Sequence, residues 1–413
     1  MTTHRIRTGD LLQAHSRMIT VLGPLSFREP AALARTLRDL MAPHRRIGLV
    51  PEPGARHWSF DREAGAPRVS VAPPCAPDEV DARLTELAAD RAPKPPIALT
   101  LAGDYLFVDM CHGLGDGGLI EMTNVALAAG TEHPEVRKWF GGKETRNPLL
   151  RSALGHFLAE PSRLAEGVRL LRGAPAAARA ESPRPLRDWR PQPALAHATI
   201  DPEAAVRLAR YREKTMPGVS LAAVLFARLH AELGAAGIRT DDAMTVVYDC
   251  RRYLPENSRV RGNFVAGVEL RPTDPDDPAA LHRAMVGAGA TGKPLATMAA
   301  QVLRDRRSGV REVRLPTSVV ETPRARLGAS YLHCGAGLSE LPWRSGALGT
   351  YVAFVEPAHP ELIACTVMRR RTVFDITATY HANVFEPAAV QAALAALTTW
   401  PPEGHRIPLG RAS

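Results

Sequence analysis

Little in this sequence favours a nucleic-acid ligand or a membrane. Of its 52 Lys and Arg residues only five are lysine, and aromatic residues make up 5% of the chain. No basic run is interleaved with aromatic side chains, as stacking on bases requires. No apolar stretch has the roughly 20 residues that span a bilayer, and the N-terminus lacks the apolar run of a signal peptide. We therefore interpret the net charge of +9 mainly as solvated surface. We expect a cytoplasmic protein with no nucleic-acid partner and no membrane span.

Cysteine is equally scarce, and its spacing excludes two kinds of site. The five cysteines form no CxxC pair, which argues against a disulfide framework and a zinc site. We expect them to be reduced and mostly buried, with no metal bound. A GxSxG nucleophile elbow is also absent from the sequence, which argues against a serine hydrolase of that type.

What is present is enough chain for two globular units. A length of 413 residues exceeds what one core usually serves, and 45% hydrophobic with 23% charged residues is typical of a globular protein. We predict an N-terminal half over 1–145, a proline-rich interdomain linker over 146–195 and a C-terminal half over 196–413.

The first half shows helix and sheet periodicity around a glycine-rich segment. Apolar residues recur at helical spacing in 29–42 and 77–91. The segments 97–101 and 105–110 read as a hairpin whose second strand runs into HGLGDG, residues 112–117. A helix is predicted after it, so the order is strand, glycine-rich turn, helix.

Beyond residue 141 the pattern changes. A helix is predicted around 161–172, and the prolines that follow predict irregular structure; they are Pro175, Pro183, Pro185, Pro191 and Pro193. Asp201 with Pro202, and then Ser220, are predicted to begin two helices. Four later segments predict a second mixed sheet: 245–249, 264–270, 350–354 and 372–380.

His112 is the candidate catalytic residue. An imidazole can take a proton near neutral pH, so a positioned histidine suits general-base activation of a hydroxyl or amine. The glycines around it permit a tight turn and close substrate approach. Cys111 is a poor partner for His112 because adjacent residues at a strand end point to opposite faces.

A second glycine motif, GAGATGKP at 287–294, resembles a nucleotide-binding loop. The residues before it predict a helix instead of a strand, and Pro294 occupies the position where a P-loop needs Ser or Thr. We therefore expect a flexible loop without that function.

The motif HGLGDG resembles the HxxxDG signature of the chloramphenicol acetyltransferase-like acyltransferase superfamily. That superfamily includes nonribosomal peptide condensation domains, BAHD enzymes and polyketide-associated acyltransferases. Three further segments resemble this superfamily in the same order: YDCRRYLP with RGNFVAGVEL at 248–270, ASYLHCGAG at 329–337 and TVFDITATYHANVFEPAAV at 372–390. The resemblance implies an α/β fold of two similar halves, each a mixed sheet flanked by helices, with an active-site tunnel between them.

The resemblance also implies roles for individual residues. His112 would deprotonate the acceptor as it attacks a thioester carbonyl, with no acyl-enzyme intermediate. Asp116 and Gly117 would be scaffold, and Asp116 would pair with Arg251, or alternatively with Arg252. Ser330 is a candidate hydrogen-bond donor to the oxyanion.

Departures from the pattern separate the possible reactions. Condensation domains usually have a second histidine where this chain has Cys111 and an asparagine where it has Ala266, and the BAHD segment DFGWG is missing. We predict a monomeric acyltransferase that acts on a hydroxyl or amine of a small molecule. Acyl-CoA or a phosphopantetheinyl thioester is the co-substrate, an acyl carrier protein is a candidate partner, and no cofactor is permanently bound. The alternatives are a freestanding condensation enzyme and a non-catalytic recruitment module.

Overall fold

A computed structural model of the chain describes residues 2–41, 45–63, 65–163, 165, 185–308, 315–344 and 348–401. Its α-helices are α1 Thr8–Leu12, α2 Pro30–Met41, α3 Val80–Ala89, α4 Gly117–Ala129, α5 Pro134–Phe140, α6 Pro148–Ala159, α7 Pro202–Thr215, α8 Leu221–Ala235, α9 Pro278–Ala290, α10 Lys293–Ser308, α11 Ala336–Ser339 and α12 Pro387–Thr398. Its strands are β1 Thr2–Arg5, β2 Arg17–Gly23, β3 Leu49–Val50, β4 His57–Phe60, β5 Arg68–Val71, β6 Ile97–Ala102, β7 Tyr105–Cys111, β8 Leu186–Asp188, β9 Pro193–Ile200, β10 Thr240–Asp249, β11 Val265–Leu270, β12 Ser318–Val320, β13 Ala325–His333, β14 Thr350–Val355, β15 Leu362–Arg370 and β16 Val373–His381.

The first large sheet has the strand order β14-β2-β7-β6-β5, with β5 and β6 parallel and the other neighbours antiparallel. One face packs in a core that includes Leu37 of α2 and Val125 of α4. The other face packs against Leu84 of α3. Both faces of β7 are therefore covered, and every residue of this strand is buried.

The second large sheet has the order β11-β10-β13-β15-β16-β9 and is also mixed. Alternate residues of its strands, such as Val246, Leu327 and Ile376, pack with Leu225 of α8 and Leu394 of α12. The predicted α/β architecture of two mixed sheets flanked by helices is confirmed.

The structure places one predicted strand in the other sheet. The segment 350–354 was expected in the second sheet, but β14 pairs antiparallel with β2 and lies at the edge of the first. Its side chains alternate between the two cores, with Tyr351 in one and Phe354 in the other. An alternating apolar strand fits any two-sided sheet, so its pattern does not identify its partner.

The proline-rich segment contains more regular structure than expected. Strand β8 lies between Pro185 and Pro191 and pairs with β12. Pro193 is the first residue of β9, which is the edge strand of its sheet and can therefore tolerate a missing N–H. Pro175, Pro183 and most of the helix predicted at 161–172 lie outside the described residues.

The expected loop at 287–294 is a junction between two helices. Residues 287–290 form the last turn of α9, and α10 begins at Lys293. Gly292 between them has φ +73°, the left-handed conformation in which helices commonly end. Pro294 is accommodated in the first turn of α10, where no intrahelical N–H bond is lost.

Within the described residues, no helix is both long and apolar enough to cross a membrane. All five cysteines are buried and free; they are Cys75, Cys111, Cys250, Cys334 and Cys365.

Candidate active site

The glycine-rich turn lies at the end of β7, as the sequence predicts. The strand ends at Cys111, residues His112–Leu114 form a short 3-10 turn, and α4 begins at Gly117. Asp116 is the N-cap of α4, and its Oδ1 accepts a hydrogen bond from the Gly118 N–H at 3.3 Å. The turn is therefore held between a fully buried strand and a capped helix.

Backbone and side-chain hydrogen bonds fix His112. Its N–H donates to the Ser16 carbonyl at 3.0 Å, and its carbonyl accepts from Asn263 Nδ2 at 2.8 Å. Nδ1 lies 3.2 Å from the Gly115 carbonyl oxygen, which can only accept, so Nδ1 carries the proton. In that tautomer Nε2 has a free lone pair, and no hydrogen bond to Nε2 is recorded within the described chain.

Asp116 is almost completely buried, with 4% of its surface exposed. Its Oδ2 lies 2.8 Å from Arg251 Nη2 and accepts from the Phe264 N–H at 3.2 Å. The structure thus brings together Asp116 and Arg251, the preferred partner in the sequence analysis. Arg252, the alternative, points to a different part of the surface.

Every nitrogen of the Arg251 guanidinium has a partner. Nε donates to the Val260 carbonyl at 2.8 Å, Nη2 also donates to the Gly262 carbonyl, and Nη1 lies 3.0 Å from Asp249 Oδ1. Burial disfavours the charge on Arg251, but the carboxylates of Asp116 and Asp249 outweigh this effect and raise its pKa. The ion pair therefore fixes the motif turn to the segment before β11.

A second buried network supports the same turn, and the sequence analysis missed it. Asp10 is fully buried; its Oδ1 accepts from the N–H and Nδ2 of Asn263, and its Oδ2 pairs with Arg46. Arg46 also donates to the Leu114 carbonyl at 2.6 Å. Asn263 therefore joins Asp10 to the backbone of His112.

Close packing explains two of the motif glycines. A Cβ on Gly115 would lie 2.8 Å from the Arg261 carbonyl oxygen, and a Cβ on Gly113 would lie 3.0 Å from the Asp10 carbonyl oxygen. Gly117 is less confined, since the nearest described atom to a Cβ there would be Leu332 Cδ1, at 3.3 Å. The strictest steric requirement therefore falls on Gly113 and Gly115.

Ser330 is not hydrogen-bonded to His112. It lies on β13, two residues before Leu332, so both side chains point to the face of the sheet that meets Gly117. Its hydroxyl donates to Thr366 Oγ1 at 3.0 Å.

Cys111 is buried, and its thiol donates to the Ala14 carbonyl. Burial raises the pKa of this thiol, which disfavours a thiolate nucleophile beside His112.

Two cavities of about 430 and 400 Å³ lie on the described surface, and His112 lines neither. The tunnel between the halves therefore stays a prediction.

No family model matches the chain, and no curated protein matches it. Solved structures do match over nearly its whole length. TRI3 trichothecene 15-O-acetyltransferase from Fusarium sporotrichioides is 11% identical, with 96% of this chain and 93% of that chain aligned at a TM-score of 0.62. The chain has the chloramphenicol acetyltransferase-like fold. The resemblance predicted from HGLGDG is thereby confirmed at the level of the fold.

Other structures with the chloramphenicol acetyltransferase-like fold are similar as well. The first condensation domain of the calcium-dependent antibiotic synthetase, in complex with a substrate analogue, is 16% identical over 96% of this chain and 95% of that chain, at a TM-score of 0.59. The X-domain, from its complex with OxyB of teicoplanin biosynthesis, is 18% identical over 95% of this chain and 91% of that chain, at 0.50. At these identities the likeness establishes the fold alone.

Proposed function

We propose that this protein is an acyltransferase that moves an acyl group from a thioester to a hydroxyl or amine of a small molecule. The observation that carries the proposal is the 3.2 Å contact between His112 Nδ1 and the Gly115 carbonyl oxygen. In the neutral imidazole this contact places the proton on Nδ1 and leaves Nε2 free to accept one. A general base needs this arrangement. The fold comparison supports it, because TRI3, named as an O-acetyltransferase, shares the architecture.

In the proposed reaction His112 Nε2 takes the proton of the acceptor hydroxyl or amine as its oxygen or nitrogen attacks the thioester carbonyl. The carbon–sulfur bond of the tetrahedral intermediate then breaks, and the thiolate receives the proton from the imidazolium. The products are the acylated acceptor and a free thiol, so no acyl-enzyme forms. Acyl-CoA or a phosphopantetheinyl thioester on a carrier protein supplies the acyl group.

In this proposal the remaining residues position His112 and the reacting groups. Asp116, Gly117 and Arg251 hold the turn that carries His112, and Asn263 holds its backbone carbonyl. Ser330 would stabilise the oxyanion if its hydroxyl turned from Thr366 towards the substrate. We also propose that the halves at 1–145 and 196–413 enclose a tunnel through which donor and acceptor reach His112 from opposite sides.

The test is acyl transfer by wild type and His112→Ala. Each protein is incubated with a panel of acyl thioesters and candidate acceptors, and products are followed by mass spectrometry. Loss of a general base costs about 10²- to 10⁴-fold in rate. His57→Ala, which removes an exposed histidine on β4, should leave the rate unchanged. Equal rates for wild type and His112→Ala would refute the proposed mechanism.

A non-catalytic recruitment module is the second candidate, because the X-domain in complex with OxyB shares the fold. This candidate predicts no acyl transfer from any thioester, together with binding of a partner enzyme that His112→Ala leaves intact. A freestanding condensation enzyme instead predicts transfer only between carrier-bound substrates.

A further inference from the structure

The cavity of about 430 Å³ lies between α6, α9 and the N-terminus of α8, and His112 does not line it. Its volume is in the range of small-molecule sites, which run from about 300 to 1,000 Å³. No Asp or Glu occurs among the described residues that line it, whereas two arginines and two histidines do: Arg163, Arg252, His156 and His282.

Arg252 is the unpaired cation of this cavity. No ion pair is recorded for it in the described part of the chain, and its guanidinium lies over the Tyr253 ring at 5.8 Å from the centroid. A Cβ on Gly289 would lie 3.5 Å from Arg252 Nη1, an ordinary contact distance, so the guanidinium packs beside this position of α9. Arg163, in contrast, is already paired with Glu160 at 2.5 Å.

The walls of the cavity are aromatic and apolar. The hydroxyl of Tyr248 donates to the Met285 carbonyl at 3.0 Å, and that of Tyr253 donates to the Gly289 carbonyl at 2.7 Å. Because both phenols are anchored through their hydroxyls, their rings are held in place along the wall. Val286 adds an apolar side chain that is 55% exposed.

Two imidazoles complete the polar lining. His282 Nδ1 lies 3.3 Å from the Ser220 N–H and hydroxyl, at the N-cap of α8. His156 Nε2 is buried and has no hydrogen-bond partner among the residues that the structure describes. A buried polar atom without a partner is uncommon in folded proteins and requires an explanation.

We propose that this cavity binds a small amphipathic anion, namely a planar aromatic body that carries a carboxylate or a phosphate. Arg252 pairs with the anionic group, because a guanidinium matches both groups in a bidentate manner. The tyrosine rings, Met285 and Val286 cover the aromatic body. This site is separate from the turn of His112, so the inference does not rest on the proposed function.

The experiment is isothermal titration of the full-length protein with phenyl phosphate and with benzoate. Phenol, which lacks the charge, and inorganic phosphate, which lacks the ring, are the matched controls. We expect at least one of the two aromatic anions to bind at least tenfold more tightly than either control. The tighter of the two identifies the anionic group. No binding of either aromatic anion at millimolar concentration overturns the proposal, as does inorganic phosphate binding equally well.

Variants then locate the site. Arg252→Ala should weaken binding at least tenfold, and Gly289→Leu should do so by filling the cavity while the charges stay. Arg283→Ala removes an arginine of α9 that does not line the cavity, and it should leave affinity within twofold. Melting temperatures of all variants are measured to exclude misfolding. If folded Arg252→Ala and Gly289→Leu both bind like wild type, the ligand binds elsewhere and the proposal is wrong.

Discussion

Helix α4 is joined to later parts of the chain at two carboxylates that lie in different environments. Asp116, at its N-cap, is buried and paired with Arg251. Glu121, in its second turn, accepts a hydrogen bond from the Gly335 N–H at 2.6 Å, and no ion pair is recorded for it in the described regions. Burial, together with repulsion from Glu135, raises the pKa of Glu121 to about 7, although the Gly335 hydrogen bond opposes this shift.

The difference between Asp116 and Glu121 shows how a counter-charge affects a buried carboxylate of the same helix. At Asp116 the charge of Arg251 compensates for the burial of the carboxylate. This ion pair therefore links α4 to the segment before β11. At Glu121 a single amide does not compensate, and the carboxyl therefore titrates near neutral pH. The Asp116–Arg251 pair holds the motif turn. The Glu121–Gly335 contact makes the stability of the fold depend on pH.

The largest expected effect is the loss of the Asp116–Arg251 pair. Arg251→Ala leaves a buried carboxylate without its counter-charge, which costs about 3–5 kcal/mol of stability. The loss of stability is measured by urea unfolding of Arg251→Ala, Asp116→Ala and the double variant. We expect strongly non-additive losses, because each single change removes the same pair.

The matched control is Arg271→Ala, which removes the partner of Glu269 in an exposed pair. This change should cost less than about 1 kcal/mol. Additive losses of stability in the double variant would contradict the proposed pair, since Asp116 and Arg251 would then contribute independently.

The next effect is a pH dependence from Glu121. Its pKa is higher in the folded chain than its ordinary value of 4.5, so the folded state binds a proton more tightly than the unfolded state. Stability should therefore fall as pH rises from about 4.5 to 7 and level off above. At about 1.4 kcal/mol per pKa unit, the loss is at most about 3.5 kcal/mol.

Glu121→Gln keeps an acceptor for the Gly335 N–H and removes the titration. Its melting temperature should exceed that of wild type at pH 8 and approach it at pH 5. Glu132→Gln, at an exposed glutamate in the same region, should follow wild type throughout. A wild-type profile that Glu121→Gln leaves unchanged would assign the titration to another group.

Local patterns were sufficient to predict much of this site. The strand before His112, the N-cap at Asp116 and the helix after it all follow from residues adjacent in sequence. Arg251 came from the resemblance, since nothing in the local pattern distinguishes it from other arginines of an arginine-rich chain. The structure then shows why this arginine is suitable, because four oxygen acceptors surround its guanidinium.

Long-range contacts could not be predicted in the same way. Asp10 and Asn263 are separated by 253 positions, and neither lies in a segment whose pattern indicates the other. Strand β14 shows the same limit, because its alternation is compatible with either sheet. Both contacts depend on how distant segments of the chain pack together, and the periodicity of a single segment carries no information on that.

The smallest expected effect concerns the backbone of the turn and separates Gly115 from Gly117. A Cβ on Gly115 would lie 2.8 Å from the Arg261 carbonyl oxygen, which is backbone and cannot turn aside as a side chain can. Gly115→Ala should therefore cost about 1–3 kcal/mol, as overpacking does in general. Among the described residues, a Cβ on Gly117 would meet the end of the flexible Leu332 side chain, so Gly117→Ala should stay within about 0.5 kcal/mol of wild type.

Chemical denaturation of the two variants measures the difference, and each serves as the control for the other. Gly115→Ala should also lower the rate of acyl transfer more than Gly117→Ala, because the Gly115 carbonyl accepts the hydrogen bond that orients His112. If Gly117→Ala were less stable than Gly115→Ala, the backbone at Gly115 would be able to shift and accommodate a Cβ. The rigid part of the motif would then be limited to Asp116 and its partners, since the backbone next to His112 would have room to move.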